Sequence, residues 1–268
     1  MIFLKKSLGQ HFLHSKSYLN AVADAAHIKE GEVVVEIGPG EGALTEVLLE
    51  RGAKVVAIEK DSRLIPLLRE KFKHFDISRF QVVEGDALEF DCSKLEAQSY
   101  KLIGNIPYYI TGALFKKFLT AKHQPSTLVF LIQKEVAQRI TGNPSTSSGS
   151  PKESILSLSV KAYGTPKYIK TVPAGAFSPP PKVDSAILAV ENISRKNFVD
   201  GAHEAKFFEL IKKGFSQKRK FLKNNLGPDY ASVLQKTAID EKARAEDVPL
   251  EQWLALSKVE GLEISKTS

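Results

Sequence analysis

The 268-residue sequence contains one cysteine, Cys92, one tryptophan and one methionine. A lone thiol cannot close an intramolecular disulfide, which excludes stapled extracellular scaffolds and fits a reducing compartment. No apolar run approaches the roughly 20 residues that cross a bilayer, so no membrane partner is expected. The opening "MIFLKKSLGQHF" puts its lysines after a very short apolar patch, the wrong order and length for a secretory signal. A cytoplasmic protein is expected. Internal repeats are absent and no metal is expected. Nothing in the sequence requires more than a monomer.

What is present is an ordinary globular balance, 43% hydrophobic and 26% charged, enough to bury a substantial core. The charge excess is positive, +7, with an isoelectric point near 9.2. Part of it is concentrated: Lys206, Lys212, Lys213, Lys218, Arg219, Lys220 and Lys223 face only Glu209 in their window. Such a stripe suits either a solvated helix face or a polyanionic partner bound through counterion release.

The first two thirds alternate short β-branched runs with amphipathic stretches. "VVVEI" (33–37), "KVVAIE" (54–59), "FQVVEGD" (80–86), "YKLIGN" (100–105) and "TLVFLI" (127–132) read as strands. Between them "ALTEVLLERG", "SRLIPLLREKF" and "GALFKKFL" read as helices, with "KEVAQRIT" following. This alternation predicts an α/β fold with a parallel, doubly wound, Rossmann-like sheet. Residues 143–154 are Ser-, Pro- and Gly-rich and predict an exposed loop. A further strand is expected in "VDSAILAVE" (183–191). After Asn192 the pattern becomes helical only, which predicts a catalytic domain over 1–191 and a small helical domain over 192–268. In "GFSQKRKFLKNNL", Phe215, Phe221, Leu222 and Leu226 can pack inward at helical spacing while Lys218, Arg219, Lys220 and Lys223 reach phosphates.

"EIGPGEG" (36–42) follows a strand and opens a helix, and its glycines at 38, 40 and 42 let the backbone approach a ligand. Glu59 ends the next strand, where a carboxylate can accept from ribose hydroxyls. Asp86 follows the third, where one can accept from an adenine amine. Together these point to an adenosine compound. Without a basic residue to grip phosphate, S-adenosylmethionine fits better than a dinucleotide. "NIPYY" follows the fourth strand at the same sheet edge. Asn105 offers a carbonyl acceptor, Pro107 stiffens the chain, and Tyr108 offers a flat face, whereas Tyr109 reads as packing. The exocyclic amine of adenine is a poor nucleophile because its lone pair is delocalised. Two acceptors on its hydrogens, the Asn105 side chain and a backbone carbonyl near Ile106, would pull the nitrogen toward a tetrahedral shape.

The ordered set "LGQHFL", "EIGPGEGALT", "VVAIEKD", "EGDAL", "GNIPYYIT", "QKEVAQR", "FSPPPKVDSAIL" and "GFSQKRKFLKNNL" resembles the KsgA-type small-subunit ribosomal RNA adenine dimethyltransferases over roughly residues 7–260. The resemblance implies a methyl donor, S-adenosylmethionine, which leaves as S-adenosylhomocysteine. It also implies a substrate: two adjacent adenosines in a hairpin near the 3′ end of 16S rRNA in the small ribosomal subunit. Residue by residue, it implies that His11 and Leu13 lie over the cofactor, with Gly38 and Gly40 in the glycine turn. Glu59 becomes the ribose acceptor, Asp86 the adenine contact, Asn105 the catalytic amide, and Tyr108 and Phe177 the two aromatic walls. The chain departs from the family at two places. His11 stands where many relatives have Asn, and "KESILSLSV" replaces a frequent Tyr-Gly-Arg ahead of "LSV". Two rivals are a large-subunit rRNA adenine methyltransferase and a catalytically silent nucleic-acid-binding factor. "PPPKVDS" after Phe177 disfavours the first, and the intact glycine turn and "NIPY" disfavour the second. A DNA adenine methyltransferase would usually carry an acidic residue where Asn105 stands.

Overall fold

The structure, a computed structural model, describes residues 10–142 and 152–259. The chain begins with a two-residue strand, β1 (Phe12–Leu13), and helix α1 (Lys16–Ala25). Then come β2 (Val33–Ile37), α2 (Ala43–Glu50), β3 (Lys54–Glu59), α3 (Ile65–Lys71), β4 (Phe80–Glu84), β5 (Tyr100–Asn105), α4 (Thr111–Leu119), β6 (Thr127–Gln133) and α5 (Lys134–Thr141). They are followed by α6 (Ile155–Tyr163), β7 (Thr165–Val172), β8 (Phe177–Ser178) and β9 (Ser185–Glu191). The last elements are α7 (Gly201–Gly214), α8 (Leu222–Leu226), α9 (Ala231–Lys236) and α10 (Leu250–Ser257).

The main sheet has seven strands in the order β4-β3-β2-β5-β6-β9-β7. Its first five strands are parallel, while β9 runs antiparallel to β6 and to β7. The inner strands β2, β5, β6 and β9 are buried on both faces because helices cover both. Val34, Ala57, Ile103, Val129 and Ile187 share one core with Val22 of α1, Leu48 of α2 and Leu68 of α3. On the alternate positions, Phe130 meets Phe115 of α4 edge-on at 5.5 Å between ring centroids. Each fully buried side chain of this size stabilises the fold by about 1.5–3 kcal/mol. Pro66 sits in the first turn of α3, where its missing N–H costs nothing.

Contacts group the chain into two compact units, residues 1–137 with 165–193 and residues 138–164 with 194–268. The single boundary expected near 192 therefore describes only one junction. Residues 138–164, read with the sheet, group with the C-terminal helices. Their helix α6 starts on a Ser154–Ser157 capping box. Within this second unit the Tyr163 hydroxyl donates to Glu204, which also accepts from Arg195 at 3.0 Å. The expected Ser-rich loop falls outside the described residues from 143 to 151.

Two local expectations change. Strand β7 has no counterpart among the expected elements, because "TPKYIKTV" starts near a proline and exposes lysines as a sheet edge does. The helical spacing expected through "GFSQKRKFLKNNL" gives a new helix only from Leu222. The three consecutive cations stay outside it, in a turn held by the Asn225 amide, which donates to the carbonyls of Gly214 and Gln217.

Candidate active site

Strand β2 pairs with β3 on one side and β5 on the other, so the chain reverses its direction of winding there. Open α/β sheets bind ligands in the crevice at the carboxyl ends of such strands. A cavity of about 510 Å³ opens at this place, within the size range of small-molecule sites. His11, Gly38, Gly40, Glu59, Asp86, Asn105 and Tyr108 all line it.

The glycine turn is tight for two reasons. Gly40 has φ of +60°, and a Cβ there would lie 2.7 Å from the Phe12 ring. Only glycine allows the segment 10–13 to lie across the turn. Below it, the Glu59 carboxylate is 5% exposed and both oxygens accept backbone N–H groups. Gly40 donates to Oε2 at 3.1 Å and Asp61 to Oε1 at 2.8 Å. Burial pushes the Glu59 pKa up, against those two bonds. Asp86 accepts from Leu88 N–H at 2.9 Å and from the Lys60 ammonium at 2.7 Å. Lys60 holds its carboxyl below the usual range. A carboxylate has about four lone-pair sites, so Asp86 keeps accepting capacity beside these two donors.

Asn105 ends β5, after Gly104, where a Cβ would lie 2.9 Å from the Ile37 carbonyl of the neighbouring strand. The Asn105 Nδ2 donates to the His11 carbonyl at 2.7 Å. That bond leaves Oδ1 as an acceptor with no hydrogen-bond partner among the described residues. After Ile106 come Pro107, with φ of −59°, and a single 3₁₀ turn over 108–110. Successive side chains of such a turn diverge by about 120°. Tyr108 is accordingly half-buried, its hydroxyl 2.6 Å from Ser185 Oγ, and its ring lies near-parallel to His11 with centroids 6.5 Å apart. Burial raises the Tyr108 pKa. Tyr109 also lines the cavity but is 67% exposed, which corrects its reading as a packing residue.

Two expected residues lie elsewhere. Leu13 is buried and lines a small adjoining space of about 30 Å³. Phe177 does not line the cavity. It pairs with Leu13 across the β1–β8 ladder and is 5% exposed within the core. The segment 10–13 thus rests on β8 as a strap, and the His11 ring bonds the Pro179 carbonyl at 2.7 Å. In the second unit, Lys218, Arg219 and Lys220 are exposed and none pairs with a described acidic residue. Lys223 pairs with Glu241 at 3.1 Å, and Phe221 is 38% exposed rather than packed inward.

The family model for ribosomal RNA adenine dimethylase matches residues 2–260. The chain belongs to that family. It is 41% identical over 261 residues to ribosomal RNA small subunit methyltransferase A of Dehalococcoides mccartyi (strain CBDB1), covering 94% of this chain and 87% of that protein. It resembles a dimethyladenosine transferase from Plasmodium falciparum with a TM-score of 0.76 and 27% identity, covering 92% and 96% of the two chains. The 23S rRNA methyltransferase ErmE is similar with a TM-score of 0.74 and 27% identity, covering 92% and 98%. The chain is an rRNA adenine dimethyltransferase with a Rossmann-like fold.

In this dimethylase, three polar residues at the site escape a reading of the sequence. Glu36, the last polar residue of β2, is 1% exposed and accepts from Thr45 Oγ1 at 2.6 Å. Burial pushes its pKa up to about 7, and the nearby Glu59 adds to the shift. A lone acid inside "VVVEI" is the available signal. Ser185 and Asp61 stand inside the family-like runs "FSPPPKVDSAIL" and "VVAIEKD", but nothing in those runs gives either residue a role. Among the described residues no group of acidic, histidine and cysteine side chains could hold a metal, and no helix is long and apolar enough to cross a membrane.

Proposed function

We propose that this dimethylase transfers methyl groups from S-adenosylmethionine to N6 of two adjacent adenosines in a hairpin loop near the 3′ end of small-subunit rRNA. N6,N6-dimethyladenosine and S-adenosylhomocysteine result, without a metal, in the cytoplasm, during small-subunit assembly, by a monomer. The Asn105 amide carries this reading: tied by its nitrogen to His11, it keeps a free carbonyl oxygen at the end of the cavity.

The cavity suits the donor. Glu59 is preset to accept ribose hydroxyls and Asp86 an adenine amine, and Gly38 and Gly40 let the backbone come close. The donor, when bound, supplies an electrophilic methyl on a sulfonium. Asn105 Oδ1 and the Ile106 backbone carbonyl accept the two hydrogens of the target amine, turning its lone pair outward. Tyr108 holds the base by its ring face, and its Ser185 bond fixes the ring. The methylated nitrogen is acidic and sheds its proton without a strong base, so positioning and electrostatics supply most of the rate. Lys218, Arg219 and Lys220 bind RNA phosphates and add affinity but no sequence information.

The test is transfer of labelled methyl groups to unmodified small subunits, followed by nucleoside analysis. Dimethyladenosine confined to small-subunit rRNA supports the reading. Label in large-subunit rRNA or DNA, or none at all, overturns it.

A further inference from the structure

Two residues beyond Glu59, the Asp61 side chain is fully buried, at 0% exposure. Arg63 grips it as a fork, Nε to Oδ1 at 2.8 Å and Nη2 to Oδ2 at 2.6 Å. This cation holds the Asp61 carboxyl well below the usual carboxylate range, so it stays charged through neutral pH. The Arg63 side chain is 36% exposed, so water screens its half of the pair and the net stability gained is small.

Asp61 orients two things. Its backbone N–H donates to Glu59 Oε1 at 2.8 Å. Its Oδ2 also accepts from Gln10 Nε2 at 3.1 Å, and Gln10 precedes the residue whose carbonyl receives the Asn105 amide. Asp61 therefore stands between the ribose acceptor, which its backbone N–H holds, and the strap that turns the catalytic amide, which its carboxylate holds. On the other side the strap is held by the β1–β8 ladder. Without the Gln10 bond that ladder still fixes Phe12 and Leu13, and His11 keeps its ring bond to the Pro179 carbonyl but loses the tether on the residue before it.

We propose that Asp61, clamped by Arg63, is a positioning residue that couples the cofactor end of the cavity to the orientation of Asn105 through Gln10 and the strap. The roles of Glu59 and Asn105 in this coupling rest on the function proposed above. The Arg63 fork fixes the Asp61 carboxylate. The fixed carboxylate sets both the loop N–H under Glu59 and the docking of Gln10. A docked strap presents the His11 carbonyl to Asn105 Nδ2 and leaves Oδ1 for the amine.

The test compares full-length Asp61→Asn and Gln10→Ala with wild type by three measurements. These are amide hydrogen exchange at residues 11–13 without cofactor, S-adenosylmethionine affinity with stoichiometry by calorimetry, and single-turnover transfer. Both variants are expected to exchange faster at 11–13 and to transfer about tenfold more slowly, the effect of losing one hydrogen bond to a charged group. Asp61→Asn also binds S-adenosylmethionine about tenfold more weakly, and Gln10→Ala, which keeps the Asp61 N–H under Glu59, weakens it by less than Asp61→Asn does. Wild-type exchange at 11–13 in Asp61→Asn overturns the proposal. So does a rate loss matched by an equal loss of titrated cofactor sites, which marks misfolding alone. If wild type fails to methylate small subunits, the proposed function falls while exchange and cofactor affinity still decide the clamp.

Discussion

The cavity at the end of β2 and the cationic turn before α8 handle charge in opposite ways. At the cavity, Glu36, Glu59 and Asp61 are buried, and each is held by a hydroxyl, a backbone N–H or a guanidinium. At the turn, Lys218, Arg219 and Lys220 project into solvent with no described acidic partner. Buried, fixed dipoles are strong and directional because water does not screen them. Exposed cations are individually weak, act additively and respond to salt. The first arrangement suits a reaction that demands sub-ångström placement, and the second suits capture of a large polyanion.

The largest effect expected on stability comes from the buried side. An acid whose folded pKa is raised binds its proton more readily in the native state. Glu36 therefore costs stability as pH rises from the ordinary glutamate value of 4.5 to about 7, with no further change above that. Glu36→Gln removes the charge and keeps an acceptor for Thr45. Denaturant unfolding should show the variant more stable than wild type by up to about 3 kcal/mol at pH 8, with no difference near pH 4. A pH-independent difference would mean that the Glu36 carboxyl is not the group that titrates.

Tyr108 lies between the two extremes, half-buried with its face toward the cavity. Tyr108→Ala should slow single-turnover transfer by roughly 5- to 150-fold, the worth of one base–aromatic stack. Tyr108→Phe, which loses only the Ser185 bond, should slow it by about threefold. Equal losses in the two variants would place the importance in the hydroxyl rather than the ring.

The smallest effect on rate is expected at the turn. Replacing Lys218, Arg219 and Lys220 together with Ala should reduce the slope of log affinity against log salt by about 2–3 in filter binding to small subunits. Transfer at saturating substrate should be unchanged. A fall in that rate would show that the turn shapes the reacting complex rather than only holding RNA.

How far the sequence carries this contrast depends on the element. Strands 33–37, 54–59 and 100–105 stand where their unbroken β-branched and apolar runs predict, because parallel strands buried on both faces leave that mark. The edge strand β7 leaves no such mark, since half its side chains meet water. The composition break at 192 is visible, but the earlier crossing near 138 is not, because apolar "ILSLSV" reads alike in either unit. At the site, residue types, spacing and the family resemblance together indicate the cavity-lining residues His11, Gly38, Gly40, Glu59, Asp86, Asn105 and Tyr108. They do not indicate direction. Tyr109 is exposed at the cavity mouth while Tyr108 beside it in the 3₁₀ turn is half-buried, and Phe177 is buried in the core where β8 pairs with β1. Neither fact is local to the residue concerned. The Asp61 clamp is hidden for the same reason, since its partner Gln10 lies 51 positions away.

The central claim, that the Asn105 amide places the target amine, is tested most directly by single-turnover transfer with Asn105→Ala on unmodified small subunits, with subunit binding measured on the same samples. The account predicts a rate lower by at least about 10²–10³-fold, the range for losing one preorganised group, with binding within about twofold of wild type. Transfer by Asn105→Ala at close to the wild-type rate would contradict it.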